Sequence, residues 1–413
     1  MKYALLIVTL LINLPFLSAQ WEEIASPPFD FRTDHSFGFA INGVGYLVAG
    51  ATPDDYSDDF YRYFPETDTW NQLPDFPGGT RGFGIGDVWE GKAYFGFGAG
   101  TSPGASSSER KNDLWEFDPA SGIWKELASC PCDPRLHPAF ATHKGNIYVG
   151  LGSVQGVGNV KDWWQYNIAT DTWTQKADFP SHERHHPYQF ALGDYVYAGF
   201  GHGTIQPLIY QSWYRYDPEM DTWDEVASIP GEGRVAGTQF SHNGKGYALS
   251  GDGEDHQSMD VGEFWEYDPE TDSWKELPPH PGFSRWAPAS FILNNEVYLI
   301  NGSSFGNYQD KAYKYKLEEP NVSSTKDNFN TSSIRIYPNP FSDQLNFLAD
   351  LENVSTEDKI LLLIYDGMGK LVFKSDINTG PGTQNLEHLQ SGIYQINLSI
   401  NGKNILARKV VKL

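Results

Sequence analysis

The sequence has few long apolar runs. Beyond residue 19, no stretch approaches the roughly 20 apolar residues that a membrane-spanning helix needs, so we expect no transmembrane segment. The start of the chain differs: Lys2 supplies a positive charge, residues 4–14 are apolar, and Leu17-Ser18-Ala19 forms a small-residue site before Gln20. This order predicts a secretory signal peptide over residues 1–19 and an exported chain that begins at Gln20.

Cysteine is also scarce. The sequence contains 2, Cys130 and Cys132, which flank Pro131. Two cysteines exclude both a disulfide-stapled scaffold and a zinc site built from several thiolates. Because export permits oxidation, a local disulfide and a pair of unpaired thiols both remain open. We prefer either of these alternatives to a redox role.

Basic residues are outnumbered, and the formal net charge is −23. Residues 334–413 hold eight Lys/Arg and eight Asp/Glu, so the rest of the chain carries 22 basic and 45 acidic residues. An acidic body repels the phosphates of nucleic acids and anionic membranes. We therefore expect no nucleic-acid partner.

Three kinds of residue recur in phase every 48 to 54 positions. The tryptophans are Trp21, Trp70, Trp124, Trp173, Trp223 and Trp274. The arginines are Arg32, Arg81, Arg135, Arg184, Arg234 and Arg285. The tyrosines are Tyr46, Tyr94, Tyr148, Tyr197, Tyr247 and Tyr298, each followed four residues later by glycine: Gly50, Gly98, Gly152, Gly201, Gly251 and Gly302. Such agreement is typical of a repeat architecture.

Each unit reads as four short strands. An apolar segment follows the arginine, a turn such as Asn243-Gly244 comes next, and the tyrosine strand ends in glycine. A third strand alternates aromatic and polar residues, and an Asp-Pro turn leads to the tryptophan strand. Four strands in about 50 residues predict one blade of a β-propeller.

The Asn-Gly turn, the Tyr strand ending in Gly and the Tyr-Asp-Pro-x-Thr-x-x-Trp segment resemble the kelch repeat over residues 20–318. The adjacent glycine pair of that family is reduced to a single glycine here, as in Ala49-Gly50. The last unit lacks a tryptophan strand, whereas Trp21 belongs to a strand with no unit before it. We therefore expect an all-β, six-bladed propeller that the N-terminal strand closes.

Residues 319–333 are polar and aperiodic, which predicts a linker. A second domain of alternating strands over residues 334–413 predicts a small Ig-like β-sandwich. Its motifs are Tyr337-Pro338-Asn339-Pro340-Phe341, a turn at residues 366–370, a segment at residues 389–394, a hairpin at Asn401-Gly402 and a basic end. Together they resemble the type A C-terminal sorting domain of the type IX secretion system of Bacteroidota. The resemblance implies that this machinery is a partner, that the protein is secreted or held on the cell surface, and that the domain is removed. The alternative is an accessory sandwich.

The repeated arginines precede the innermost strands, so they share one face of the propeller with the loops that follow the glycines. The candidate ligand-binding arginines are Arg32, Arg81, Arg135, Arg184, Arg234 and Arg285. Converging guanidiniums favour a carboxylate, sulfate or phosphate, because arginine binds planar anions through two hydrogen bonds. The alternative is that they brace the blade junctions, as a residue present in every blade would.

The same face carries His182, His185, His186 and His202, but their spacing matches no metal-ligand pattern, and the acidic segments 54–59 and 252–255 match no calcium loop. We therefore expect no metal and no cofactor. The leading hypothesis is a noncatalytic propeller that binds a glycan or a protein. Resemblance to six-bladed kelch sialic acid epimerases (mutarotases) implies an enzymatic alternative, in which Arg184 or Arg234 holds the sugar carboxylate and Glu183, Glu232 or His186 moves protons. A structural adhesion or matrix component is a third alternative.

Overall fold

The computed structural model describes residues 21–28, 33–317, 334–349, 359–366, 371–378, 380–400 and 403–413. Across these ranges all regular secondary structure is β, and no helix there has the length and apolar character needed to cross a membrane. The chain divides into two compact units, Met1–Glu319 and Pro320–Leu413. The predicted signal peptide, Gln20, Arg32 and the predicted linker 319–333 lie outside the described residues.

The first unit contains six antiparallel four-stranded sheets, and the predicted propeller fold is confirmed. The strand β1 (Glu22–Ile24) comes first in the chain. Blade one contains β2 (Phe37–Ile41), β3 (Val44–Ala51), β4 (Tyr56–Phe64) and β5 (Thr69–Leu73). Blade two contains β6 (Ile85–Trp89), β7 (Lys92–Gly96), the short hairpin β8 (Ala99–Gly100) and β9 (Glu109–Arg110), then β10 (Leu114–Asp118) and β11 (Ile123–Leu127).

Blade three adds β12 (Arg135–Leu136), β15 (Ser153–Val154) and β16 (Gly158–Asn159) as a small sheet beside its four main strands β13 (Ala139–His143), β14 (Asn146–Gly150), β17 (Trp163–Asn167) and β18 (Thr172–Lys176). Blade four contains β19 (Tyr188–Leu192), β20 (Tyr195–Gly199), β21 (Trp213–Asp217) and β22 (Thr222–Val226). Blade five contains β23 (Thr238–His242), β24 (Lys245–Leu249), β25 (Gly262–Asp268) and β26 (Ser273–His280).

Blade six takes its outermost strand from the other end of the unit. Its strands are β27 (Ala289–Leu293), β28 (Glu296–Ile300) and β31 (Ala312–Lys316), with a hairpin of β29 (Ser303–Ser304) and β30 (Asn307–Tyr308). The fourth strand is β1, which pairs antiparallel with β31, with Glu23 opposite Tyr313. The N-terminal strand therefore occupies the outer edge of the last sheet.

Burial within a blade follows the position of each strand. In β14, Ile147, Tyr148, Val149 and Gly150 are all buried, because neighbouring blades cover both faces of this strand. Such a strand has a continuous apolar sequence instead of an alternating one. The outer strand β18 is mostly exposed, and its Trp173 is half-buried.

The recurring tryptophans join neighbouring blades. The indole Nε1–H of Trp173 in blade three donates to the carbonyl oxygen of Ala128, which follows the outer strand of blade two, at 2.7 Å. Asp171 accepts the Ala128 N–H at 2.8 Å and the Tyr166 hydroxyl at 2.6 Å. Equivalent indole bonds run from Trp21, Trp70, Trp223 and Trp274 to Pro278, Ala25, Ala177 and Ala227. The tryptophan repeat therefore serves contacts between blades as well as packing within them.

The recurring glycine forms a second contact between blades. Gly98 has φ +80° and donates its N–H to the carbonyl oxygen of Arg135 in the next blade, at 3.0 Å. A Cβ on Gly98 would lie 2.3 Å from the carbonyl oxygen of Gly82, so no other residue fits without displacement. The same bond joins Gly50 to Arg81, Gly152 to Arg184, Gly201 to Arg234, Gly251 to Arg285 and Gly302 to Thr33.

The second unit is a small β-sandwich, as predicted for the tail. One sheet has the order β32 (Ile334–Tyr337), β33 (Gln344–Ala349) and β36 (Gly380–Asn385). The other has the order β35 (Leu371–Ile377), β34 (Ile360–Tyr365), β37 (Gly392–Ile400) and β38 (Lys403–Lys412). Its core includes Phe347 from the first sheet and Leu362 and Ile396 from the second. The turns at residues 367–370 and 401–402 lie outside the described residues.

Candidate functional site at the channel mouth

The five described arginines of the repeat are buried. Arg81, Arg135, Arg184, Arg234 and Arg285 expose between 0 and 3% of their surface. Arg135 shows the pattern: its guanidinium makes two hydrogen bonds to the Asp162 carboxylate, at 2.6 and 2.9 Å, and a third to the Leu151 carbonyl at 3.2 Å. The guanidinium therefore connects the end of the second strand of a blade to the start of its third strand.

The other arginines use the same space with different partners. Arg81 bonds Asp113 and the Phe97 carbonyl, and Arg234 bonds Glu263. Arg285 bonds the carbonyls of Asn301 and Lys311, at 2.9 and 2.8 Å. These contacts support the alternative in which the arginines brace the blades. Their role in ligand binding stays a prediction.

Arg184 lies between two aromatic rings and has no carboxylate partner among its hydrogen bonds. Its guanidinium lies 4.7 Å from the ring centroid of Phe179 and 4.4 Å from that of Tyr210. It donates to the Phe200 carbonyl and the Ser212 hydroxyl, while Nη2 has no protein partner. Burial lowers the pKa of Arg184 to about 10, so the side chain stays charged at neutral pH.

The assignment of Arg32 to the arginine series is wrong, because Thr33 occupies the equivalent position. The Thr33 carbonyl accepts the N–H of Gly302 at 3.0 Å, as the Arg81 carbonyl accepts that of Gly50 at 2.7 Å. The sequence holds the correct alignment, since Thr33 precedes Tyr46 by thirteen residues and Arg81 precedes Tyr94 by thirteen. Arg32 itself lies outside the described residues.

The candidate acidic residues lie at the edge of this face. Glu183 is half-buried and accepts the Thr204 hydroxyl at 3.0 Å. Its own backbone N–H and that hydroxyl lower the pKa of the Glu183 carboxyl. Glu232 accepts the backbone N–H of Glu254 at 2.9 Å. Each carboxylate is thus held by the loops of its own blade.

One residue from each blade, just before its innermost strand, faces the channel, and we term this set the collar. Its members share a positive φ of 44 to 60° just before the innermost strand and are His35, Phe83, His137, His186, Ala236 and Ala287. Backbone bonds link neighbours, including His35 N–H to the Ala287 carbonyl at 2.9 Å and Ala287 N–H to the Ala236 carbonyl at 2.6 Å. The collar residues line a cavity of about 140 Å³ together with the residues that follow them in all six blades.

The three collar histidines meet across the channel. His35 and His186 belong to blades one and four, on opposite sides of the propeller, and their Nε2 atoms are 2.9 Å apart. The imidazole rings of His137 and His186 are stacked with centroids 3.3 Å apart. His35 also contacts the carboxylate of Asp34 through Nδ1, at 2.7 Å. One ring nitrogen from each of the three histidines lies within 4.8 Å of the other two.

These histidines have too few hydrogen-bond partners. Neither ring nitrogen of His137 has one, and Nδ1 of His186 also lacks one, although all three atoms are buried. Burial and the neighbouring histidines hold the pKa of both side chains well below the usual range. Unpaired buried polar atoms each cost about 1–3 kcal/mol, so this cluster is locally unfavourable without a further partner.

Of the histidines considered from the sequence, only His186 joins this cluster. The ring of His185 lies beside the cluster, 5.0 Å from that of His186 and 4.9 Å from that of His202, and His182 lies 6.0 Å from Tyr210. Burial lowers the pKa of His185 to about 4. The sequence does not indicate His35 and His137 as partners of His186, because the three lie far apart along the chain. A signal exists nonetheless: His35 follows Thr33, and His137 follows Arg135, by two residues, at equivalent positions of their blades.

A second pocket, which we term the mouth pocket, lies beside the collar and has a volume of about 340 Å³. Its walls include the half-buried rings of Trp286 and Tyr308, the buried carboxylates of Asp34 and Asp252, and His256. Trp286 connects the two features, since its ring lies 4.8 Å from that of His186 and 4.9 Å from that of His256. Burial raises the pKa of Asp252.

Comparisons with known proteins agree with the fold. Residues 335–412 match the family described as the secretion system C-terminal sorting domain. An F-box/kelch-repeat protein of Arabidopsis thaliana is 37% identical over 84 residues, which span 19% of this chain and 24% of that protein, so the chain covers about a quarter of this relative. The solved structure of YjhT is similar over 70% of this chain and 96% of its own, at 16% identity and a TM-score of 0.57. This likeness supports the fold alone.

The chain is thus an all-β protein that combines a propeller, similar in part to a kelch-repeat protein, with a C-terminal region that matches the secretion system sorting domain. The sorting domain indicates export to the medium or the cell surface. The secretion machinery that recognises this domain is therefore a partner of the protein.

Proposed function

We propose that this exported propeller binds a carbohydrate in the mouth pocket. One observation carries the proposal: two half-buried aromatic rings, Trp286 and Tyr308, line the same pocket as two buried carboxylates, Asp34 and Asp252. Aromatic faces provide apolar contact for the C–H face of a sugar ring, and carboxylates accept hydrogen bonds from its hydroxyls. The pocket lies on the face where the loops between blades meet.

The carboxylates favour a neutral sugar over an acidic one. An anionic sugar in this pocket would face Asp34 and Asp252, whereas the arginines that were expected to attract it are buried and bonded within their blades. The epimerase alternative depends on Arg184 or Arg234 holding a sugar carboxylate, and both side chains are inaccessible to a ligand in this arrangement. The contacts therefore favour binding over that enzymatic scheme.

A glycan array with the full-length mature protein tests the proposal, followed by calorimetry on the best neutral sugar. Trp286→Ala should weaken binding at least roughly tenfold, because a sugar-stacking ring contributes on the order of 1.4 kcal/mol or more. Trp89→Ala is the matched control, because Trp89 lines a separate cavity at the opposite end of the inner strands, away from the mouth pocket.

Two outcomes would overturn the proposal. Failure to bind any sugar at millimolar concentration would leave a protein ligand as the better account. Equal loss of binding in both tryptophan variants would place the sugar elsewhere on the propeller.

A further inference from the structure

We infer that His35, His137 and His186 of the collar form a binding site for one divalent first-row metal ion of the Zn²⁺ type. The three side chains come from blades one, three and four, yet their ligand atoms all lie within 4.8 Å of one another. Neutral imidazole is a good ligand for Zn²⁺ and for neighbouring transition metals. The inference does not depend on the proposed carbohydrate function, although Asp34 contacts His35 and also lines the mouth pocket.

The distances fit an ion after a small adjustment. Two nitrogens that bind one tetrahedral Zn²⁺ at about 2.0–2.1 Å are roughly 3.4 Å apart. The Nε2 atoms of His35 and His186 are 2.9 Å apart, so they need to separate by roughly half an ångström. The ring of His137 is stacked on that of His186 and needs to tilt about χ2, a torsion with a broad energy minimum.

Unsatisfied ring nitrogens point to a missing partner. Both nitrogens of His137 are buried without a hydrogen bond, and so is Nδ1 of His186, a residue that is only 9% exposed. An ion bound to Nε2 of His35 and of His186 and to one nitrogen of His137 would replace the single proton between His35 and His186 and give His137 its one partner. Nδ1 of His186 would keep its unpaired state. Buried polar atoms in native proteins are nearly always satisfied, so this concentration in one cluster calls for an explanation.

Asp34 supplies the outer contact that metal-binding histidines require. Its carboxylate accepts from Nδ1 of His35 at 2.7 Å, which leaves Nε2 of that ring free of a proton and directed at His186. Carboxylate–histidine–metal arrangements of this kind fix the tautomer and orient the ring. Asp34 is itself buried and also accepts the Ser303 hydroxyl at 3.3 Å.

The site would keep at least one coordination position for a non-protein ligand. Three protein ligands leave tetrahedral Zn²⁺ with one open position, which is typical of sites that bind water or a ligand oxygen. The same three histidines line the cavity of about 140 Å³, which has room for such a molecule.

Titration calorimetry of the full-length mature protein, stripped of metal with a chelator, tests the inference with ZnCl₂ as the probe. We expect one equivalent to bind. Asp34→Asn removes an outer partner and should weaken Zn²⁺ binding by roughly 10- to 100-fold. His35→Gln and His137→Gln each remove a ligand and should weaken it by more than that. His182→Gln and His202→Gln, on the same face but outside the cluster, are the matched controls.

A second readout separates coordination from folding. The visible absorption of bound Co²⁺ should be present in the parent and in both control variants and absent from His137→Gln. Zn²⁺ should raise the melting temperature of the parent and leave that of His137→Gln unchanged, because only an ion bound to the native state stabilises it. The inference would be overturned if the parent binds no stoichiometric Zn²⁺ at micromolar free metal. It would also be overturned if the His35 and His137 variants bind Zn²⁺ as tightly as the parent.

Discussion

At the scale of single residues, the contacts of the repeated arginine support a bracing role in the five blades where the structure describes it. Its guanidinium is buried and bonded to carbonyls or a carboxylate that belong to the same blade. The sequence predicted the repetition but not the direction of the side chains. Repetition alone does not distinguish a residue that faces a ligand from one that every blade needs, because both recur with the same period.

We expect Arg184→Ala and Arg234→Ala to lower stability. Removing Arg234 breaks a buried ion pair and should cost about 3–5 kcal/mol, because Glu263 stays buried without its partner. Arg184 has carbonyl and hydroxyl partners, so its removal should cost about 1–3 kcal/mol. Denaturant unfolding measures the loss. Arg215→Ala is the matched control, since its ion pair with Asp224 is largely exposed and should contribute below about 1 kcal/mol. If either variant unfolds like the parent but no longer binds sugar, the arginines contact the ligand and do not brace the blades.

His280 makes stability depend on pH. Its ring is buried, Nδ1 donates to the Pro281 carbonyl at 3.0 Å, and Nε2 accepts the Ser250 hydroxyl at 2.9 Å. Burial and then the charge of Arg285 lower the pKa of His280 to about 3. Since the unfolded chain binds this proton near pH 6.5, the stabilisation is complete above that pH and is lost as pH falls toward 3.

We therefore expect the unfolding free energy to fall by up to about 1.4 kcal/mol per pH unit from this residue below pH 6.5. His280→Gln does not titrate, so its slope between pH 6.5 and pH 4 should be smaller than that of the parent. Urea titrations at several pH values measure both slopes, and the exposed His182→Gln serves as control. Other buried histidines with lowered pKa values, among them His137, His185 and His186, contribute to the slope that remains in His280→Gln. Equal slopes of unfolding free energy against pH in the parent and in His280→Gln would contradict this role of His280.

At the scale of elements, the strands were well predicted because their signals repeat. Aromatic and polar residues alternate in the third strand, and the tyrosine strand ends in glycine in each blade, so errors in one repeat are corrected by the others. The collar could not be predicted in the same way. Its histidines occupy a backbone position with positive φ whose side chain varies among the blades: three blades have His, two have Ala and one has Phe.

The N-terminal strand belongs to the same level, and its contribution to stability stays a prediction. β1 pairs with β31, Trp21 donates to the Pro278 carbonyl of blade five, and Ala25 accepts from Trp70 of blade one. Deleting residues 20–26 removes all three contacts. We expect a loss of several kcal/mol, because truncating one buried Trp costs about 3–5 kcal/mol.

Thermal melting of the deletion variant measures this loss. Trp21→Ala is the companion variant, since it keeps the strand and removes only its largest buried side chain. The deletion should melt at or below the temperature of Trp21→Ala. A deletion variant that melts like the parent would show that β1 does not stabilise the propeller.

At the scale of the whole molecule, charge and sorting are divided between the two units. The chain carries a net charge of −23, yet residues 334–413 contain eight basic and eight acidic residues, so the acidic surplus belongs to the part that precedes them. Removal of the tail would leave that surplus intact. An acidic surface keeps a secreted protein soluble and repels anionic surfaces.

We predict that the secreted protein begins at Gln20 and ends in or near residues 319–333. That polar, aperiodic segment joins two compact units, and proteolysis concentrates at such connections because compact units protect their own backbone. Intact-mass measurement of protein recovered from the medium and from the cell surface tests both ends. A chain that stops at residue 333 is the matched variant: without the sorting domain it should accumulate in the periplasm. A secreted form whose mass still includes Leu413 would contradict cleavage, and normal secretion of the shortened chain would contradict the sorting role of residues 335–412.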